Sequence, residues 1–226
     1  MTTTVKQISF KQVIAQFKNY VANTDERPAL QYLHYDGENF VATNGHVLLK
    51  VNADYVSDIP EEVLAGTLFD PNNMCIPDET GGYPDIYRLI PDDCNLSIRI
   101  NNTLDEIQSH VKAGNKTLKG SWESKNYLFA CQDDFLKVEA VQTDEFNLNK
   151  WTYEGILKHN KVLRSNGKEI IFKVRSNYIT NALATVKKLS KLSNKDIQFN
   201  IISGVRPIIF KQDNVFEILV LPLKIY

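Results

Sequence analysis

The chain has 226 residues, 43% of them hydrophobic, and a formal net charge of −1. That size supports one or two domains, burying about 70% of the unfolded surface. Near-neutral charge excludes a global bias toward nucleic acid or anionic membrane, so any basic surface must be local. Cys75, Cys94 and Cys131 are odd in number and widely spaced, which excludes a disulfide framework and CxxC zinc sites. The N-terminal residues lack an apolar signal core, and no apolar run approaches the roughly 18 residues of a membrane span, so a cytoplasmic chain is expected.

Read along the chain, one β-α-β-β-β unit recurs loosely three times. In the first, Val5–Ser9 reads as a short strand and Ser9 as a helix cap. Phe10, Val13, Ile14, Phe17 and Val21 then recur at helical spacing on one face. Strands are predicted at Ala29–Tyr35, Asn39–Thr43 and His46–Asn52. The turns between them carry Asp36-Gly37 and Asn44-Gly45, dipeptides that tolerate the positive φ of tight hairpins. A connector from Ala53 to Cys94 follows, punctuated by proline and glycine, with a short helix predicted at Glu61–Ala65.

The second unit opens with a strand at Leu96–Asn101. Thr103 reads as the cap of a helix with an apolar face of Leu104, Ile107 and Val111. Asp105 and Glu106 in its first turn suit the helix dipole. Strands are predicted at Thr117–Ser124, Tyr127–Cys131 and Phe135–Val141. The second connector, Thr143–Lys168, contains a predicted helix at Tyr153–Arg164, weakened by Gly155. The third unit has a strand at Glu169–Val174, then a helix capped by Ser176 or Asn177 and carrying Ile179, Ala182, Leu183, Val186 and Leu189. Strands at Asp196–Ile202, Val205–Lys211 and Val215–Leu221 complete it. Internal repetition of one β-α-β-β-β unit makes the fold class α+β. The domain division expected is 1–91, one unit plus the loop-rich segment, and 92–226, two units.

Catalytic chemistry finds little support. His34, His46, His110 and His159 are scattered, with no HxH, HExxH or His-Cys pairing. No nucleophile elbow or glycine-rich phosphate loop occurs. Asp92-Asp93 and Asp133-Asp134 fall in predicted turns, where Asp bonds its own backbone. No enzyme, metal or cofactor is expected.

Four passages resemble one family, the bacterial sliding clamp, the processivity subunit of the replicative DNA polymerase. They are Glu26–Leu30 with Ala42–Leu48, Tyr83–Pro91, Ser176–Leu183 and Leu219–Lys224. They occur in the family's order and span most of the chain. The resemblance implies a DNA-clamp-like fold, with antiparallel sheets on one side and helices on the other, shortened as in a phage- or mobile-element-type variant. The family's first domain is missing from the pattern. Asn44 stands where the family has Asp, Val47 where it has Arg, and leucines where it has terminal methionines.

The resemblance further implies a pocket for short partner peptides, lined by Leu30, Thr43, Gly45, His46, Val47, Leu48, Pro91, Val220, Leu221, Pro222 and Leu223. It also implies lysines aimed at DNA phosphates. The candidates are Lys11 and Lys18 on the first helix, Lys112 and Lys116 on the second, and Lys187, Lys188 and Lys191 on the third, with Lys195 just beyond. Implied partners are duplex DNA contacted without sequence preference, DNA polymerase or other replication proteins, and further copies of the chain in a ring. The alternative is a clamp-fold module that forms no ring and captures clamp-binding peptides or modulates a host clamp.

Overall fold

The computed structural model describes residues 6–24, 26–77, 82–118, 125–132, 135–142, 154–157 and 161–224. In chain order the elements begin β1 (Ile8–Ser9), α1 (Phe10–Phe17), β2 (Leu33–Tyr35), β3 (Asn39–Thr43), β4 (Val47–Asn52), β5 (Val56–Ser57) and β6 (Leu68–Phe69). They continue with β7 (Leu96–Arg99), α2 (Leu104–Thr117), β8 (Lys125–Gln132), β9 (Phe135–Gln142), β10 (Glu154–Leu157), β11 (Lys161–Arg164) and β12 (Ile170–Arg175). The last are α3 (Ser176–Leu189), β13 (Ile197–Ile201), β14 (Ile208–Gln212) and β15 (Phe216–Val220). The chain divides into two compact units. Unit one is 1–91 with 188–195 and 212–219; unit two is 92–187 with 196–211 and 220–226.

In unit one the strands lie in the order β15-β4-β3-β2-β6, and β1 pairs with β5 in parallel, Ile8 opposite Val56. Every residue of β3 is buried, so this strand is covered on both faces. Its register to β4 sets Phe40 opposite Val51 and Ala42 opposite Leu49. Helix α1 buries Phe10, Val13, Ile14 and Phe17, and the Phe10 ring meets Phe40 at 5.7 Å and Phe69 at 5.3 Å. Val21 is also buried but lies beyond the helix. Beyond the turn that follows the helix, the Ala22 amide donates to the Leu30 carbonyl at 2.7 Å and ties the two segments together.

Two expectations in unit one are corrected. The strand predicted from Ala29 starts only at Leu33, since Pro28–Gln31 forms a 3₁₀ turn. Pro28 fixes its own φ and brings no amide to a ladder. The helix predicted at Glu61–Ala65 is a pair of turns. There the Leu64 amide donates to Thr67 Oγ1 at 3.0 Å, a local bond that competes with helix, and Gly66 follows at φ +90°. The first residue of the predicted strand Val5–Ser9 lies outside the described residues.

Unit two holds two groups of strands, β11-β7-β13-β14 and β10-β9-β8-β12. An aromatic ladder joins them: Phe129 stacks on Phe172 at 5.0 Å, Phe172 meets Phe199 edge-on at 6.2 Å, and Phe199 stacks on Phe210 at 4.6 Å. Such offset and edge contacts add to the area they bury. The predicted helix Tyr153–Arg164 is corrected: Glu154–Leu157 pairs with β9 and Lys161–Arg164 with β7. Gly155, the weak point for a helix, sits opposite Val138 in the ladder. Of the predicted strand Thr117–Ser124, Thr117 ends α2, and 119–124 lie outside the described residues. Asp133-Asp134 and His159 also lie outside them.

Helices α2 and α3 of unit two carry the expected apolar faces. Leu104, Ile107 and Val111 are buried on α2; Ile179, Ala182, Leu183, Val186 and Leu189 are buried on α3. Thr103 precedes α2 without a side-chain cap bond, its Oγ1 lying 3.5 Å from the Ile100 carbonyl. Ser176 is the first residue of α3 and its hydroxyl donates to Asn115 Oδ1 at 2.5 Å, so it ties α3 to α2 instead of capping. Asn115 Nδ2 donates to Thr180 Oγ1 at 3.0 Å, and Tyr127 Oη lies 2.9 Å from Asn115 Oδ1.

Candidate functional site

The tight turn between β3 and β4 is built by its own side chains. Thr43 Oγ1 donates to the Val47 carbonyl at 2.7 Å and accepts the Gly45 amide at 3.1 Å. Asn44 Oδ1 accepts the amides of His46 at 3.0 Å and Val47 at 3.1 Å. Asn44 therefore supplies the acceptor that fixes the turn, as short Asx side chains do. Gly45 takes φ +86°, and a Cβ there would lie 4.0 Å from Arg27 Nη1. The Arg27 guanidinium thus sits over the turn.

Burial separates the residues that the resemblance implied for a pocket. Thr43, Val47 and Leu48 are buried, as is Leu30 in its 3₁₀ turn. Gly45 and His46 are exposed, and Asn44 and Pro91 are half-buried. The open part of the turn is therefore a backbone and imidazole surface with a cation beside it.

Residues 82–91 form a strap against the sheet of unit one. The Tyr83 hydroxyl accepts the Thr43 amide at 3.2 Å, and its ring stacks on His34 at 5.0 Å. Ile86 is buried. Tyr87 donates to Asp36 in a short hydrogen bond and accepts from Asn39 Nδ2 at 3.2 Å. Lys50 Nζ lies 5.5 Å from the Tyr87 ring centre and 3.1 Å from Glu217. Burial pushes the Asp36 carboxyl up, but hydrogen bonds from Tyr87 and the amides of Asn39 and Glu38 together hold it below its ordinary value. Burial lowers the His34 imidazole, and the Asp36 charge opposes that only in part. Burial raises the phenols of Tyr83 and Tyr87 well above their ordinary value. The sequence marks Tyr83–Pro91 only by its resemblance and does not show that its tyrosines anchor it. Two tyrosines four apart around a buried isoleucine were the available signal.

In unit two the segment Val220–Leu223 runs along the edge of β12. The Leu223 amide donates to the Lys173 carbonyl at 2.7 Å, closing an isolated antiparallel bridge. At Gly204 the turn between β13 and β14 approaches the same strand so closely that a Cβ would lie 2.3 Å from the Ile171 carbonyl oxygen. Val220 is buried, Leu221 is 40% exposed, and Pro222 and Leu223 are half-buried. Ile171 is 43% exposed and Val205 67% exposed. Sequence reasoning missed both, because each falls in an apolar run that reads as core.

The candidate lysines fall into distinct settings. Lys11 and Lys18 are exposed on α1 and at its C-cap, and Lys112 and Lys116 are exposed on α2. Lys187 is half-buried, with Nζ 2.6 Å from Asp105 Oδ1. Lys188 is half-buried near the end of α3. Lys191 was expected on that helix, but α3 ends at Leu189 and Lys191 lies in a 3₁₀ turn, Ser190–Leu192. Lys195 is exposed and donates from Nζ to the Asp213 carbonyl at 3.0 Å. Among the described residues no group of three or more His, Cys, Asp or Glu is placed to hold a metal ion. Among them, no helix is long and apolar enough to cross a membrane.

No protein-family model matches the chain, and no curated protein matches it. Solved structures do. The DNA polymerase sliding clamp of Bacillus subtilis superposes with a TM-score of 0.70 at 18% identity, over 96% of this chain and 62% of that one. The chain has the sliding-clamp fold. The DNA polymerase III beta chain of Streptococcus pneumoniae gives a TM-score of 0.67 at 14% identity, over 100% of this chain and 66% of that one. The beta subunit of Pseudomonas aeruginosa gives 0.68 at 11%, over 95% and 65%. The chain thus spans about two thirds of the length of these clamps. The clamp fold accounts for the α+β class and the repeated helix-and-sheet units.

Proposed function

We propose that this chain is a sliding-clamp-type processivity factor of the cytoplasm, which contacts duplex DNA without reading its sequence and tethers replication proteins through short peptides. The observation that carries this reading is the clamp fold over 96% of the chain. Lysines on the helices would meet phosphates, a contact that confers affinity and salt dependence but no sequence preference. The exposed turn at Gly45–His46 of unit one and, separately, the exposed Leu221 of unit two would each offer a contact to a partner peptide. Holding a polymerase by such a peptide replaces a bimolecular encounter with a high local concentration. The role is binding, and no residue is assigned a catalytic part.

The decisive test is the molar mass in solution, combined with retention on circular against linear DNA. A discrete oligomer that stays on nicked circles and slides off linear fragments is expected. A monomer at micromolar concentration that binds clamp-type peptides would instead favour the non-ring module.

A further inference from the structure

Gln212, at the end of β14, is 1% exposed, and its side-chain amide reaches the backbone of a different segment. Nε2 lies 3.4 Å from the Ser190 carbonyl, 3.2 Å from that of Ser193 and 2.7 Å from that of Lys195. Ser190 opens the 3₁₀ turn that follows α3, and Ser193 and Lys195 lie just beyond that turn. The opposite amide orientation would aim Oε1 at three carbonyl oxygens, so the donor end is fixed. Ser193 Oγ accepts the Lys195 amide at 3.2 Å within the same segment. Every one of these residues belongs to unit one.

We propose that Gln212 is the positioning residue of a basic turn, 190–195, and sets the direction in which Lys191 and Lys195 leave the backbone toward DNA phosphates. This rests on the DNA-contacting function proposed above. One buried amide converging on three carbonyls gives the turn a single backbone course, whereas exposed lysines alone would sample many. Asp213 and Asp196 are the acidic groups nearest in sequence. Asp196 accepts a salt bridge from Arg99 at 3.3 Å, and the Asp213 carbonyl already holds the Lys195 ammonium.

The test uses Gln212→Glu, which keeps the shape and reverses the donor, and Gln212→Met, which removes polarity should the first variant not fold. Amide hydrogen exchange across 190–195 is expected to rise about tenfold or more in either variant, with the exchange of α1 and β3 unchanged. Log affinity for duplex DNA against log salt should flatten by about one unit, one phosphate contact's worth. Lys191→Ala, at the exposed lysine of the 3₁₀ turn, should flatten the slope without changing exchange. Unchanged exchange in the Gln212 variants overturns the positioning role, as does faster exchange with an unaltered salt slope. A wild-type protein that binds no duplex DNA sinks the underlying function, and is told apart because the exchange measurement still reads the turn.

Discussion

Tyr83 accepts the Thr43 amide proton at 3.2 Å, through the only polar atom of its side chain. The amide belongs to the last residue of β3, where the turn toward β4 begins. Tyr83→Phe keeps the stacking on His34 but leaves the Thr43 amide without this acceptor. The expected cost is about 1 kcal/mol, and up to about 3 if water cannot reach the amide. In a chain of this size each kcal/mol lowers Tm by about 2–4 °C. Thermal unfolding followed by circular dichroism reads it, and a Tm equal to wild type would show that the strap hydroxyl is dispensable.

The same strap makes stability depend on pH in one direction. His34 has a lowered folded value, so on acidification the unfolded chain binds its proton first and stability begins to fall below the ordinary imidazole value of 6.5. Asp36 is also held low, so its contribution is complete above the ordinary carboxyl value of 3.8 and is lost as pH falls further. Urea midpoints from about pH 7.5 down to about pH 2 should therefore decline in two stages. His34→Gln should flatten the upper stage and Asp36→Asn the lower one. A midpoint that rises on acidification would contradict both.

These couplings mark the border of what the sequence reveals. Helical periodicity locates α1 and the hydrophobic faces of α2 and α3, alternation locates β8 and β9, and the flanking Asp-Gly and Asn-Gly turns bound β3, which is buried throughout. Glu154–Leu157 and Lys161–Arg164 read as helix, since their strand state is imposed by distant partners in β9 and β7. Lys191 reads as part of α3, yet the helix ends at Leu189 and the 3₁₀ turn that follows it is bonded at Ser190 by Gln212, more than twenty residues onward. At the candidate site, the turn chemistry of Thr43–Gly45 was legible from Asn-Gly. The exposure of Val205 and the anchoring by Tyr83 and Tyr87 were not, because nothing local distinguishes an apolar or aromatic side chain that ends in the core from one that does not.

Gly114 gives a packing prediction. A Cβ there would lie 2.5 Å from Tyr127 Oη and 2.9 Å from Ala140 Cβ. In a helix, Gly→Ala normally gains about 1 kcal/mol. Here overpacking against a strand should reverse the sign and cost a net of about 1–3 kcal/mol. Tyr127→Phe in the same background should recover part of this by removing the nearest atom. A stabilised Gly114→Ala in guanidinium unfolding would mean that α2 moves off β8 without penalty.

Leu221 separates binding from folding. At 40% exposure its replacement by Asp should leave unfolding within about 0.5 kcal/mol of wild type. If it anchors a partner peptide, affinity for a polymerase-derived clamp-binding peptide should fall by about thirtyfold or more, the loss typical of a hot spot. Leu30→Ala is the control of opposite character: this side chain is buried, so about 2–5 kcal/mol of stability should go first. Isothermal titration paired with urea unfolding distinguishes them. A Leu221→Asp protein that binds as wild type removes the residue from the peptide surface.

Lys187 offers a gain where most substitutions predict a loss. Its ammonium lies 2.6 Å from Asp105 Oδ1, joining α3 to the first turn of α2 within unit two. Both side chains are partly exposed, so the pair itself contributes at most about 1 kcal/mol. Yet the carboxylate offsets the lysine's field where a phosphate would approach. Asp105→Asn should therefore strengthen duplex binding at low salt and steepen the salt slope by up to about one unit. Lys187→Ala in the Asp105→Asn background should abolish that gain, and the double substitution makes the effect specific to the pair instead of to net charge. If Asp105→Asn leaves the slope unchanged, Lys187 does not reach phosphate, and the basic contact must come from other lysines.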